Sequence, residues 1–417
     1  MSEHINNQTQ REDRLKSILR QLHEGKSVDE VKAAFADLLE DVGPDEIVRI
    51  EEALVNEGLD PAQIQPLCDV HVALFKTSLD KQQAPETTPG HPIFTYRAEN
   101  FGVQRVLKDL EQAVDDYRNV PTAATLRAAL VTVNKLMEYD RHYLRKENLL
   151  FPFLERTGFG GPSKVMWGVH NDIRADWKGL QAILDTPEPG DAAALVPQLD
   201  ELVPLLAGAI RDMIYKEDHI LFPAALKRLS DADWKAIRDQ GAEIGYAYAL
   251  PGRAWVPAVP AAPATMPQAS SGPNASSEPA AQAPAIPLQV GALTGGQIDM
   301  MLRSLPVDVT FVDENDEVRY FSQGRERVFQ RSPAIIGRNV QNCHPPQSVH
   351  KVQRILEDFK AGRRDVAEFW IQMQGMFVHI RYFALRDESG AYKGTIEVSQ
   401  DLAPLRALEG ERRLLDD

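Results

Sequence analysis

The sequence is poor in cysteine, with only Cys68 and Cys343 among its 417 residues. Two cysteines so far apart provide neither the framework of a disulfide-rich domain nor a zinc site built from thiolates alone. Disulfide-poor chains are typical of reducing compartments. We therefore expect a cytoplasmic protein.

Long apolar runs are also missing, since no stretch of about eighteen consecutive apolar residues occurs. The N-terminal stretch "MSEHINNQTQREDR" is polar and has no apolar segment of the kind that a signal peptide needs. The sequence predicts a soluble protein that neither spans a membrane nor is exported.

Basic residues are outnumbered, because 46 Lys and Arg face 61 Asp and Glu and leave a formal net charge of −15. Binding to nucleic acid phosphates needs clustered basic side chains, and so does binding to an anionic membrane surface. The charge argues against both partners and is that of an ordinary soluble globular protein.

The chain is too long for one ordinary core, and its composition changes sharply at about residue 251. Residues 251–293 are rich in Pro, Ala and Ser and nearly devoid of large apolar residues, which predicts an extended linker. Before it, apolar residues recur with helical spacing and predict a small helical bundle at 10–80 and a larger four-helix bundle at 88–250.

After the linker, at residues 295–405, the apolar spacing changes to the alternation of strands. The stretch "VDVTFVDENDEVRYFS" predicts two strands, "PPQSVHKVQRILEDFKAG" a helix, and "EFWIQMQGMFVHIRYFALRDESGAYKGTIEVSQDL" three antiparallel strands. The fold class is therefore multidomain, with two all-α regions followed by an α+β domain.

The large bundle contains an internal repeat, "HYLRKENLLFP" from His142 and "MIYKEDHILFP" from Met213, 71 positions apart. Each copy has a possible metal ligand followed five residues later by a carboxylate, Glu147 or Asp218. Facing helices of a bundle can direct such side chains inward, as in di-iron proteins. Imidazole nitrogen and carboxylate oxygen together suit iron or manganese.

With these motifs, residues 88–250 resemble the hemerythrin-like, His-His-Glu cation-binding family. The resemblance implies an iron site, favours a non-haem di-iron centre, and carries five ligands onto this chain: His91, His142, Glu147, His170 and Asp218. The stretches "LHEGKSVDEVKAAF" and "LCDVHVALF" resemble the domain of unknown function 438, and residues 295–405 resemble a PAS sensor domain.

One position departs from the hemerythrin-like pattern, because Met213 stands where the repeat predicts a histidine. Methionine is a haem ligand, so a haem held by His and Met in the bundle is an alternative cofactor. In the PAS-like region, Cys343 and His344 in "NCHPPQSVH" are candidate cofactor-binding residues.

These features predict an iron-dependent sensor or signalling protein that responds to O2, NO or redox state and is coupled to its PAS module. The alternative is a di-iron enzyme that handles NO or peroxide or supplies iron for iron–sulfur repair. The expected partners are a diatomic ligand, a second copy bound through the PAS domain, and an unidentified downstream protein.

Overall fold

The computed structural model describes residues 87–185, 192–258, 285–324, 327–373 and 375–411, together with scattered positions between residues 13 and 50. The chain divides into two compact units, Met1–Ala258 with Pro345–Gln347, and Val259–His344 with Ser348–Asp417. The described N-terminal positions include a helical stretch at 13–18. The rest of the helical domain predicted at 10–80, including Cys68, lies largely outside the described residues.

The first unit is built on a ring of four helical segments. Two of these segments are interrupted by single π-helical turns, and the elements are α1 (Pro92–Asn119), α2 (Ala123–Met137), α3 (Asp140–Arg145), π1 (Lys146–Leu150), α4 (Phe151–Glu155), α5 (Gly161–Leu184), α6 (Ala192–Lys216), π2 (Glu217–Leu221), α7 (Phe222–Arg228) and α8 (Asp231–Ile244). Helix α1 packs on α2 and α6, and α5 packs on α2 and α6, which closes the ring. The predicted four-helix bundle is confirmed.

The two π turns lie at equivalent positions of the sequence repeat, and each ends at a Phe-Pro pair. Pro152 and Pro223 have no N–H to donate to the carbonyl four residues earlier, and their rings crowd that carbonyl. Phe151 and Phe222 instead bond to the carbonyl five residues earlier, which inserts one extra residue into the turn. The prolines thus explain why both helices widen at these points.

The segment after α8 returns to the bundle and packs against the beginning of α1. The N–H of Trp255 donates to the carbonyl oxygen of Pro89 at 2.8 Å. A Cβ on Gly90 would collide with the carbonyl of Gly252, and a Cβ on Gly252 would collide with Pro89. Residues 251–258, at the start of the predicted linker, therefore belong to the bundle unit, whereas 259–284 lie outside the described residues.

The second unit contains a five-stranded antiparallel sheet of order β4-β3-β7-β6-β5. Its elements, with a preceding two-stranded hairpin, are β1 (Ala285–Pro287), β2 (Ala292–Thr294), α9 (Gly295–Ser304), β3 (Asp308–Asp313), β4 (Val318–Phe321), α10 (Pro346–Lys360), β5 (Val366–Met373), β6 (Met376–Arg386), β7 (Tyr392–Asp401) and α11 (Ala403–Arg406). Helix α10 and strands β3 and β4 share an apolar core. The predicted α+β domain, with two strands, a helix and three strands, is confirmed. Within the described parts of the chain, no helix is both long and apolar enough to cross a bilayer.

Candidate functional site

The widened π turns bring charged side chains into the interior of the bundle. Lys146 and Glu217, the first residues of π1 and π2, are fully buried, and Glu147 is almost fully buried. Asp218, the repeat equivalent of Glu147, stays partly exposed at 19%. The two turns therefore contribute unequally: π1 directs two consecutive residues inward, and π2 directs one.

The imidazole of His142, on α3, lies between two buried carboxylates. Its Nδ1 is 3.0 Å from Oε2 of Glu99 on α1, and its Nε2 is 3.2 Å from both carboxylate oxygens of Glu217. Glu99 also pairs with the guanidinium of Arg145 and accepts the N–H of Ala247 at 2.8 Å. The ring of His142 is therefore held in one orientation, with Nε2 facing Glu217.

Glu217 is the most heavily bonded carboxylate of this centre. It pairs with the ammonium of Lys146 and accepts Nδ2 of Asn100 at 2.7 Å, while the hydroxyl of Tyr139 donates to Asn100 at 2.5 Å. Burial by itself would raise the pKa of Glu217, but Lys146 and His142 outweigh it and lower the pKa to about 2. Glu217 is therefore a carboxylate at neutral pH.

A second network surrounds His170, which lies on α5. Its Nδ1 is 2.7 Å from Oε1 of Glu147, and Arg174 donates to both oxygens of Glu147 at 2.8 and 3.0 Å. Burial raises the pKa of Glu147 to about 7 despite this guanidinium, and burial lowers the pKa of His170 well below its usual value. The ring of His170 stacks on Tyr143 with centroids 4.1 Å apart.

The side chains of this centre offer the types of donor atom, imidazole nitrogen and carboxylate oxygen, that bind a transition metal. Both His142 and His170 have Nδ1 against a carboxylate, which is how metal-binding imidazoles are normally oriented. The Nε2 atom of His170 is buried without a hydrogen-bond partner, and an unsatisfied buried polar atom costs about 1–3 kcal/mol. His142, His170 and Glu217 are therefore of the residue types, two imidazoles and one carboxylate, that a non-haem iron takes.

The same centre carries its own positive charges, because Glu99, Glu147 and Glu217 each pair with a basic side chain. Across the described parts of the chain, no group of three or more His, Cys, Asp and Glu side chains is arranged around one ion position. A metal would therefore have to compete with these buried cations for the carboxylate oxygens.

The structure brings three of the five expected ligands, His142, Glu147 and His170, into this centre and places the other two elsewhere. His91 is the N-cap of α1, where its Nδ1 accepts the N–H of Ile93 at 3.2 Å. Asp218 forms a salt bridge with the half-exposed side chain of Arg97 at 3.1 Å.

The methionine of the repeat is fully buried in the bundle. Met213 begins the second repeat copy one helical turn before Glu217, at the position that His142 has relative to Lys146. Its burial agrees both with packing in the core and with a role as a haem ligand. Met213 therefore stays a candidate haem ligand, and an optical spectrum distinguishes the two roles.

The capping role of His91 predicts a pH-dependent stability. Burial against Trp234 and Trp255 lowers the pKa of His91 to about 4, with Asp231 opposing the shift. A histidine whose pKa is depressed by folding stabilises the protein fully above its unfolded pKa of about 6.5, and this contribution is lost as the pH falls towards 4.

The variant His91→Asn keeps a capping side chain but does not titrate. We expect the wild type to lose roughly 1–2 kcal/mol more stability than His91→Asn between pH 7.5 and 4.5, the range of an N-cap contribution. Urea unfolding at both pH values measures this difference. Equal losses in the two proteins would contradict the capping assignment.

The second unit holds the other two candidate residues near a buried ion pair. Arg331 donates to both oxygens of Glu397 at 3.1 and 3.0 Å. Nδ1 of His344 lies 2.8 Å from the carbonyl oxygen of Val340, and burial lowers the pKa of His344. Cys343 is half-buried and packs against the apolar core. Both residues therefore lie beside the apolar core of this unit, and their role in binding a cofactor stays a prediction.

The sequence analysis chose Asp218 rather than Glu217, and it did not single out Glu99 or the basic side chains of the centre, which are Arg145, Lys146 and Arg174. The signal was present, because residues four apart share a helix face, and Lys146 and Glu217 each lie four residues after the first position of a repeat copy. Opposite charges at equivalent positions of two facing repeats indicate a pair across the centre.

Three family descriptions match consecutive parts of the chain. Residues 15–81 match the family of unknown function DUF438, residues 91–225 match the hemerythrin HHE cation binding domain, and residues 298–403 match the PAS domain. No curated protein matches the chain.

Several solved structures are similar to parts of the chain. A C-terminal domain from Streptococcus mutans is 35% identical, with a TM-score of 0.29 and coverage of 30% of this chain and 98% of that one. The PAS domain of a protein from Colwellia psychrerythraea is 12% identical, with a TM-score of 0.22 and coverage of 26% and 97%. The PAS domain of Bordetella pertussis BvgS is 15% identical, with a TM-score of 0.22 and coverage of 28% and 87%.

Proposed function

Because the chain joins a DUF438 region, a hemerythrin HHE cation-binding domain and a PAS domain in that order, we propose that it is a cation-binding signalling protein that senses through iron in the bundle. The observation that carries the proposal is the pair of buried imidazoles, each with Nδ1 against a carboxylate, together with the unpartnered Nε2 of His170. Iron, when bound, would supply a redox-active centre, the kind of chemistry that binds a diatomic ligand such as O2 or NO.

The side chains divide into ligands and orienting groups. His142, His170 and Glu217 would hold the iron. Glu99 and Glu147 would orient the two rings, since each already accepts from an imidazole Nδ1 and from an arginine. Tyr96, Tyr139 and Tyr143 surround the rings and exclude water from the centre.

A response of the bundle would pass to the PAS domain and from there to a downstream protein or a second copy of the chain. The placement of the ligands near π1 and π2 supports this proposal, because π turns are local departures from regular helix geometry and are frequent at functional sites.

Iron content tests the site. We expect the purified full chain to contain iron, and we expect His142→Ala and His170→Ala to lower its affinity for iron by more than about tenfold, since even orienting residues cost about 10- to 100-fold. His219→Ala is the matched control, because His219 lies in π2 but its Nδ1 faces the carbonyl oxygen of Tyr215 at 3.0 Å. Full iron in both histidine variants would refute the site.

Variants of His91 and Asp218, the two expected ligands that lie outside the centre, distinguish a three-residue site from the five-residue site. His91→Asn and Asp218→Asn should keep their iron if the compact set of His142, His170 and Glu217 binds it. Loss of iron from both variants would favour the five-residue di-iron set instead.

An optical spectrum of the same preparations decides between non-haem iron and haem. We expect no Soret band, and we expect Met213→Leu to leave the spectrum unchanged at a cost below about 1.5 kcal/mol. A Soret band that shifts in Met213→Leu would assign a haem with Met213 as a ligand.

A further inference from the structure

We propose that Lys146 is a built-in competitor of the metal, so that the bundle takes up a cation only when the ammonium of Lys146 leaves Glu217. This inference rests on the proposed metal-binding function and adds how the binding is controlled. Lys146 is not one of the proposed ligands, yet its ammonium pairs with the carboxylate of Glu217, which is one of them.

The first observation is the position of Lys146 in the repeat. Lys146 opens π1 and Glu217 opens π2, so equivalent positions of the two repeat copies carry opposite charges. Both side chains have no exposed surface, and they form a salt bridge with each other. The pair therefore joins the two π turns across the interior of the bundle.

The second observation is that the carboxylate of Glu217 has no oxygen to spare. Oε1 accepts from Lys146, Oε2 accepts Nδ2 of Asn100 at 2.7 Å, and both oxygens face Nε2 of His142 at 3.2 Å. A metal bound by Glu217 must take over at least one of these contacts. Nε2 of His142 would itself become a ligand, and the amide of Asn100 is neutral. The ammonium of Lys146, by contrast, repels an arriving cation, so Lys146 is the group that has to leave.

The third observation concerns the cost of crowding positive charges. Coulomb interactions are strong where water is excluded, and Lys146 lies in such a place, with its Nζ 4.7 Å from the centroid of the Tyr143 ring. A divalent ion beside a retained ammonium would leave excess positive charge buried without compensation. Metal entry and ammonium departure are therefore one coupled exchange.

The exchange has a mechanical consequence. Since Lys146 is the first residue of π1, its release removes the tie between the two π turns. The bundle would then have two states, one in which Lys146 pairs with Glu217 and one in which a metal binds Glu217. Signalling requires two such states with different affinities for a ligand.

Ferrous iron titrated anaerobically into metal-free full-length protein tests the competition. We expect Lys146→Met, which keeps the length of the side chain and removes its charge, to bind iron at least about tenfold more tightly than the wild type, while Lys146→Arg does not. Lys135→Met is the control for a simple loss of charge, because Lys135 is half-exposed and pairs with the exposed Asp109 at 3.7 Å.

Amine labelling of the wild type gives a second measurement that needs no variant to fold. An acylating reagent followed by mass spectrometry should modify Lys146 slowly in the metal-free protein and at least about tenfold faster after ferrous iron is added, because release from a buried pair exposes the amine. Labelling of Lys135 should not change.

The outcomes separate the two proposals. Iron binding of equal strength in wild type and Lys146→Met, with Lys146 still protected from labelling, would overturn the competition and leave the proposed metal function standing. No binding by any of the proteins would overturn both. Tighter binding by Lys146→Met together with iron-dependent labelling of Lys146 would support the exchange.

Discussion

Replacing Glu217 by Ala is expected to lower the free energy of unfolding of the bundle by about 3–5 kcal/mol in the metal-free protein. The substitution leaves the fully buried ammonium of Lys146 without its partner and removes the carboxylate that faces His142. Loss of one member of a buried pair is costly because the remaining charge stays out of water with nothing to compensate it. Hydrogen exchange of amides in α1 and α5, followed by mass spectrometry, measures the loss in the full chain.

The neighbouring residue provides a matched control. Asp218 is also acidic, also in π2 and also paired with a basic residue, but its partner Arg97 is partly exposed. Asp218→Ala should therefore cost less than about 1 kcal/mol, as partly exposed ion pairs do. Equal losses for the two variants would mean that the buried network around Glu217 contributes no special stability. A double variant, Lys146→Met with Glu217→Leu, should recover part of the loss, since no unpaired ammonium remains.

Replacing Arg331 by Met is expected to destabilise the PAS unit by about 3–5 kcal/mol at neutral pH. Arg331 holds both oxygens of the buried Glu397 and also donates to Thr310. Burial raises the pKa of Glu397, but Arg331 outweighs this effect and holds the pKa below its usual range. Without the guanidinium, a carboxylate remains buried among strands β3 and β7 with little to stabilise its charge.

The pH dependence of this loss has a definite sign. In the wild type, the depressed pKa of Glu397 gives stability that is present above the unfolded value of about 4.5 and is lost as the pH falls through the folded value. In Arg331→Met, burial is opposed only by His344 and by the hydrogen bond from Ser399, so the pKa of Glu397 rises and protonation relieves the penalty. The difference between the two proteins should therefore shrink from pH 7.5 to pH 5.

An exposed arginine of the same sheet serves as control. Arg319 pairs with Glu317 at 3.3 Å and is 54% exposed, so Arg319→Met should cost less than about 1 kcal/mol at either pH. Hydrogen exchange in peptides from β3, β6 and β7 reports this unit separately from the helices. A penalty in Arg331→Met that stays the same at pH 5 would contradict the assignment to Glu397.

Local patterns were sufficient to predict the architecture. Helical spacing of apolar residues predicted the bundle, and alternation predicted all five strands of the sheet. The two π turns were not predicted, although the Phe-Pro pairs of the repeat account for them. His142 was found from the repeat and His170 from the resemblance to the hemerythrin-like family, whereas the helices and strands themselves followed from local spacing. Such inferences need only the fixed periods of helix and strand.

Local patterns did not predict which side chains make up the centre of the bundle. Asp218 looked equivalent to Glu147 in the repeat, but only Glu147 is buried. Which side chain of a π turn points into the bundle depends on the space between the facing helices, and the sequence does not show that space. His91 looked like a ligand, but it caps α1 and packs on Trp255, which lies more than 160 residues later in the chain. A sequence pattern records residue types and their spacing, and it does not show contacts between residues so far apart in the chain.

The sequence by itself determined the order of the domains and the helical and strand elements, since each of these depends on residues within a few turns of one another. Only the tertiary structure decided which charges meet: Lys146 with Glu217, Arg145 with Glu99, and Arg174 with Glu147. Pairing of buried charges is decided across helices, because burial makes an unpaired charge costly and the packing of the helices sets which groups are close enough to pair.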